Sequence, residues 1–179
     1  MLNLVWIAIK KASEGNVGDF SASTFEAYGS GGASFIVNVL SDNANRASAE
    51  VKNVLNKKNA KIAEPGSVLF MYDRKSCLEV DGVIDEEALL DAAIEAGCDD
   101  FELVEGDDEN TSVVYTEPKE SSAMKEALIS LGFEPKVELK YISKAPVEVS
   151  EDDFESNMDA IDALEELDDV DSVEHNMSN

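Results

Sequence analysis

The sequence predicts an α+β protein of two domains, with antiparallel sheets carrying helices on one face. Three observations predict it. Short apolar runs rich in β-formers alternate with stretches of helical periodicity. Residues 75–144 arrange these as βαββαβ. The flanking stretches are each incomplete: a ββαβ run before Asp73 lacks a second helix and a closing strand, and a βαβ tail after Lys144 has no sheet to join. Joining the two flanks gives a discontinuous α/β domain, 23–74 plus 145–179, with an acidic domain, 75–144, inserted into it.

In chain order, Leu2 to Ile9 is an apolar run followed by Lys10 and Lys11. It is too short to span a bilayer and has no basic segment or small-residue cleavage site around it. Val5, Trp6 and Ile9 fit one face of a helix ending near Gly15, so 1–22 reads as the remnant helix and linker of a preceding domain. Val17 and Phe20 can pin down the polar linker Ser13–Ser23. A strand then ends at Tyr28. Gly29, Gly31 and Gly32 permit positive φ and close backbone approach, and the apolar run Ala33–Leu40 returns as the second strand of a hairpin. Asp42 and Asn43 are N-cap types, and Ala47, Val51, Val54 and Leu55 recur at helical spacing. This helix presents Arg46, Lys52, Lys57 and Lys58. Lys61–Gly66 reads as a loop, and Ser67–Tyr72 as a strand.

In the second unit Cys77–Val80 is strand-like. Asp85–Ala96 is helical, with Leu89, Leu90, Ala93 and Ile94 expected inward and Gly97 as its stop. Phe101–Val104 and Ser112–Thr116 form a hairpin around Gly106–Asn110. Pro118 is expected in the first turn of a helix whose Met124, Ala127, Leu128 and Leu131 face the core before Gly132 ends it. Val137–Ile142 closes the set. The order βαββαβ is the split-βαβ, ferredoxin-like pattern. In the tail, Pro146–Val149 is a short strand, and Ser150 with Asp153 makes a capping box. Phe154, Met158, Ile161, Leu164 and Leu167 line one helix face, and Val170–His175 is the last strand.

The formal charge of −25 is unevenly spread. From Met1 to Lys75, nine basic residues meet seven acidic ones, giving +2, and the remainder carries −27. That density repels nucleic-acid phosphate and anionic lipid, so any such contact is expected from the first portion and no membrane contact is expected. Much of the acid can equally be a solvated face. Two cysteines, Cys77 and Cys98, make neither a disulfide framework nor a zinc site and read as core residues of a reducing compartment.

The residues exclude most catalytic chemistry. His175 is the sole histidine and sits near the carboxyl terminus, a poor base for a Ser-His-Asp or Cys-His constellation. Asp107, Asp108, Glu109 and Asn110 lack the spacing of an EF-hand and read as a hairpin tip, so neither metal nor cofactor is expected. Gly29-Ser30-Gly31-Gly32 lacks both phosphate-loop patterns, and a tight hairpin competes with a phosphate cradle there. The candidate contact set is Tyr28 as a stacking face, Gly29, Gly31 and Gly32 as close-approach backbone, Asn43 and Asn45 as amides, Arg46 as a phosphate fork, and Lys57, Lys58 and Lys61 as its basic extension.

Phe25-Glu-Ala-Tyr-Gly-Ser-Gly-Gly, Leu40-Ser-Asp-Asn-Ala-Asn-Arg46 and Gly66-Ser-Val-Leu-Phe-Met-Tyr72 together resemble successive signatures of the YebC family, which includes the mitochondrial translational activator of cytochrome oxidase. The likeness runs from about Ile7 to the end, including Ala163–Asp169 and Glu174-His-Asn176. It implies a non-catalytic, three-domain regulator, assigned both to DNA-binding transcriptional control and to ribosome-associated help through difficult, notably proline-rich, stretches. It also implies a missing basic amino-terminal helical domain, with nucleic-acid contact expected mainly from that part. Ser30 stands where the family usually has proline, and Ala44 where it commonly has a basic residue.

Two function classes follow. One is a translation or transcription regulator, a monomer that meets RNA, the ribosome or DNA through Tyr28 to Arg46. The other is an acidic protein-interaction module without nucleic-acid affinity, its partner a basic protein. A bacterial member acts in the cytoplasm; a mitochondrion or plastid is the alternative.

Overall fold

The computed structural model describes residues 20–106, 108 and 110–178. The expected helix ending near Gly15 lies outside them. The chain divides into two compact units, one of residues 74–140 and one formed by the chain on either side.

The larger unit begins with β1 (Ser21–Tyr28), so the strand starts inside the stretch expected to be linker. It pairs antiparallel with β2 (Ser34–Ser41), in register from Ser21↔Ser41 to Tyr28↔Ser34. Helix α1 (Ala44–Lys57) follows, capped by Asn43. Asn59, at φ 58°, turns the chain into the two-residue strand β3 (Lys61–Ile62), which pairs with the end of β1 where a loop was expected. The sheet order is β3-β1-β2-β9, with β9 (Val170–His175) antiparallel to β2. The tail therefore does complete the sheet of the first portion.

Helix α4 (Glu151–Glu165) is capped by Ser150, whose hydroxyl accepts from the Asp153 N–H at 3.2 Å. It packs with α1 on one face of this sheet, around Phe35, Val37, Val51, Leu55 and Leu164. Each such side chain contributes about 1.5–3 kcal/mol by leaving water. The strand expected at Pro146–Val149 shortens to β8 (Val147–Glu148) and stays out of the main sheet. It pairs in parallel with β10 (Met177–Ser178), because the Val147 N–H donates to the Asn176 carbonyl at 2.7 Å.

Ser67–Tyr72, expected as a strand, is a turn and a 3₁₀ segment at Leu69–Met71. The cause is Glu26. Its buried carboxylate accepts from the backbone N–H groups of Gly66, Val68 and Leu69, the last two at 2.7 Å, and curls that backbone round itself. Val68 still reaches inward, onto Ile36 and Tyr72 on the other face of the sheet.

The smaller unit holds part of β4 (Tyr72–Asp81), then α2 (Glu86–Ala96), β5 (Phe101–Glu105), β6 (Thr111–Thr116), α3 (Ser121–Ser130) and part of β7 (Lys136–Ser143). The strand order β5-β6-β4-β7 is that of a ferredoxin-like sheet. Its core joins Leu78, Val80, Leu89, Val114, Met124 and Leu128. Two expectations change here. Pro118 precedes α3 by a turn rather than opening it. Leu90 and Ile94 are exposed, because the core-facing side of α2 is taken by Leu89 and Ala93 with Ala92 and Ala96 beside them.

Candidate nucleic-acid interface

The glycine turn is a packed joint. Asn157, buried on α4, accepts from the Ser30 N–H at 2.8 Å and donates to the Ser30 carbonyl at 3.0 Å, engaging both backbone polar groups of that residue. A Cβ on Gly29 would lie 2.4 Å from the Asn157 Oδ1 and 2.6 Å from Phe35. Close approach therefore demands that glycine, whose φ is an ordinary −97°. Gly31 and Gly32, at φ 67° and 87°, supply the reversal. The Asp153 carboxylate would sit 3.0 Å from a Cβ on Gly31. With the Ser30 amide engaged and a carboxylate alongside, the turn is built as a hairpin fastening rather than a phosphate cradle.

The amino end of α1 is similarly self-satisfied. The Asn43 side-chain oxygen accepts from the Arg46 N–H at 3.1 Å, which commits one of the two candidate amides to capping. Arg46 donates to Asp42 Oδ1 and to Asp169 Oδ2, both at 2.8 Å. Asp169 also accepts from the Ser41 hydroxyl at 2.8 Å, and its carbonyl accepts from the Leu40 N–H at 2.8 Å. The Asp169 hydrogen bond, followed by that of Asp42, raises the guanidinium above its ordinary value. Arg46 thus ties the end of β2 to the chain entering β9, although its side chain is 46% exposed. Asn45 is exposed to solvent.

The remaining candidates gather at the other end of α1. A helix of 14 residues is about 20 Å long, so the set divides into two places. Tyr28 is 43% exposed and stands opposite Lys61 in the β1–β3 register. Its hydroxyl donates to the Ser67 carbonyl at 3.2 Å. Lys58 pairs with Asp159 at 2.6 Å, whereas Lys57 and Lys61 form no ion pair among the described residues. Two neighbours escaped the sequence reading. Phe70 is 67% exposed on the 3₁₀ segment, and Glu26 holds that segment in place. Burial raises the Glu26 pKa, but the three backbone donors outweigh it and leave the carboxyl below its ordinary value. Alternation along Phe25-Glu26-Ala27-Tyr28 places Glu26 on the face of Tyr28, yet nothing local in sequence announces its partners forty residues on.

The charge division also changes on folding. In the larger unit, residues 20–73 and 141–178 bring six basic and eighteen acidic residues together. A cleft of about 460 Å³ beside Arg46 is lined by Glu50, Glu166, Asp168 and Asp169. The first portion is therefore not a basic surface once the tail has packed.

The His175 Nδ1 accepts from the Met177 N–H at 3.2 Å, and burial lowers its pKa. Cys77 and Cys98 are buried free thiols, and burial pushes Cys98 above its ordinary value, the wrong direction for a nucleophile. No group of His, Cys, Asp and Glu among the described residues is arranged to hold a metal. No helix among them is long and apolar enough to cross a membrane.

The family signature described as "TACO1/YebC second and third domain" matches residues 20–177. A probable transcriptional regulatory protein of Chlamydia felis is 40% identical over 172 residues, 95% of this chain and 71% of that one. Another of Protochlamydia amoebophila is 40% identical over 94% of this chain and 68% of its own length. The crystal structure of a conserved hypothetical protein from Aquifex aeolicus superimposes with a TM-score of 0.79 at 30% identity, covering 98% of this chain and 74% of that one. The relatives carry regulatory rather than enzymatic names. Fold order, three ordered motifs and these matches converge: the chain is a non-enzymatic member of the TACO1/YebC family, spanning its second and third domains.

Proposed function

We propose that the chain regulates gene expression by contacting nucleic acid or the ribosome through the Tyr28–Lys61 end of its larger unit. The observation that carries this reading is the pairing of an exposed aromatic with Lys61, together with exposed Phe70 on the segment that Glu26 fixes and with Lys57, which forms no ion pair among the described residues. Aromatic faces accept bases of any sequence, and lysines track the phosphates. The names of the relatives support a regulatory role, and a cytoplasmic place of action accords with their bacterial sources. The test is retention of a labelled single-stranded RNA by the full chain across a salt series, with duplex DNA and ribosomes as parallel arms. Lys57→Ala with Lys61→Ala should weaken binding and reduce the salt slope by about 1.4, at roughly 0.7 per single-strand phosphate contact. Equal retention by the variant at every salt concentration, or none by the wild type at low salt in any arm, rejects the proposal.

One observation favours the second reading, a protein-interaction module. Residues 74–140 contain six basic and nineteen acidic residues, so both units are strongly acidic. Retention of a basic protein together with no RNA or ribosome retention at low salt supports that reading.

A further inference from the structure

We infer that the outer face of α2 is a docking surface for a lysine- and arginine-rich amphipathic helix of a protein partner. Leu90 and Ile94 lie four residues apart on this helix and are 48% and 66% exposed, and Val83 just before it is 74% exposed. Spacing of four puts Leu90 and Ile94 in one row. Glu87, Asp91 and Glu95 repeat at the same spacing and form the adjoining row. None of these three carboxylates makes an ion pair among the described residues.

The core does not explain the apolar row. Leu89 and Ala93, with Ala92 and Ala96 partly buried beside them, form the inward side of α2 in the cluster with Leu78, Met124 and Leu128. Leu90 and Ile94 therefore lie outside the core cluster and face solvent, in a helix bearing no basic residue. Charge selects the occupant. A second copy of α2 would bring carboxylate rows together, and an anionic lipid surface or a nucleic acid would meet a unit carrying nineteen acidic against six basic residues. A helix with apolar anchors at i and i+4, flanked by lysine or arginine, complements both rows at once. This surface does not depend on RNA contact at Lys57 and Lys61.

The experiment titrates the full chain into a fluorescein-labelled peptide of about five helical turns, or about 18 residues, with leucine on one face and lysine on its flanks. Fluorescence anisotropy reports binding. Wild type should bind saturably and more weakly as salt rises. Leu90→Ser with Ile94→Ser should weaken binding at least about tenfold, the size expected for apolar anchors. Glu87→Gln, Asp91→Asn and Glu95→Gln together should flatten the salt dependence. Lys57→Ala with Lys61→Ala should change nothing. Because all five α2 positions face solvent, unchanged melting confirms intact variants. The inference is overturned if the Leu90/Ile94 variant binds as tightly as wild type, or if a peptide of the same composition with its leucines dispersed binds equally well. It is overturned too if sedimentation shows a wild-type dimer that this variant abolishes.

Discussion

At the amino end of α1, Asn43, Arg46, Ser41 and Asp169 satisfy one another, while at its carboxyl end neither Lys57 nor Lys61, which stands opposite Tyr28, forms an ion pair among the described residues. Both ends carry residue types used to hold nucleic acid. Only partner geometry separates them. Where a carboxylate from the tail arrives within hydrogen-bond distance, as Asp169 does at Arg46 and Asp159 at Lys58, the cation becomes part of the fold. Where none arrives, as at Lys57 and Lys61, the cation makes no ion pair among the described residues, which is the ground for proposing an outside partner there.

The largest effect is expected at the satisfied end. Asp169→Ala removes the acceptor of Ser41 and Arg46 and should cost about 1–3 kcal/mol in denaturant unfolding, with RNA retention by the folded protein unchanged. Next comes Glu26→Gln, which should cost about 1–2 kcal/mol near neutral pH. The folded Glu26 pKa is depressed, so its contribution is fully present above the unfolded value of about 4.3. It is lost as pH falls through the folded value. Wild type and variant should therefore converge in acid, and an acid limb that stays parallel in the two would show that Glu26 is not the anchor.

Tyr72→Phe should cost about 1 kcal/mol, because the Tyr72 hydroxyl donates to the Ser34 carbonyl at 2.8 Å in a buried site. Burial pushes this hydroxyl up to about 12, against the Ser34 hydroxyl and with help from Glu174. Its contribution is complete below the unfolded value of about 10 and disappears as pH rises through about 12. The variant should lack that part of the alkaline limb in a pH series of melting curves. The smallest stability effect belongs to Lys57→Ala with Lys61→Ala, within about 0.5 kcal/mol as for ordinary surface changes. A large loss of stability there would erase the distinction between the two ends.

Local chemistry was legible wherever it was self-contained. Asn43 and Ser150 cap their helices as their types require, Asp85 caps α2 where it was expected to be its first residue, and Gly97 stops α2 in the left-handed conformation. Incomplete flanks were enough to join the tail to the first sheet, since a strand without a sheet must find one. Long-range satisfaction was not legible. Alternation in Ser67–Tyr72 has strand period, but the Glu26 carboxylate captures the backbone donors a ladder would need. Leu90 and Ile94 share helical spacing with Leu89 and Ala93, and only the width of the core decides which pair enters it. At the candidate site, residue type singled out Tyr28, Lys61 and Arg46 alike, and Arg46 could not reveal a carboxylate 123 residues away.

Asn176 carries a consequence for synthesis. Its side-chain oxygen accepts from the Ser34 N–H across 142 residues, and its carbonyl accepts from Val147. On a growing chain residues 74–140, a compact unit of their own, are complete well before the partners of Ser34 and Val147 arrive. Until Val170–His175 has been made, the edge of β2 that β9 covers has no strand to pair with, and an unpaired edge is a template for the wrong partner.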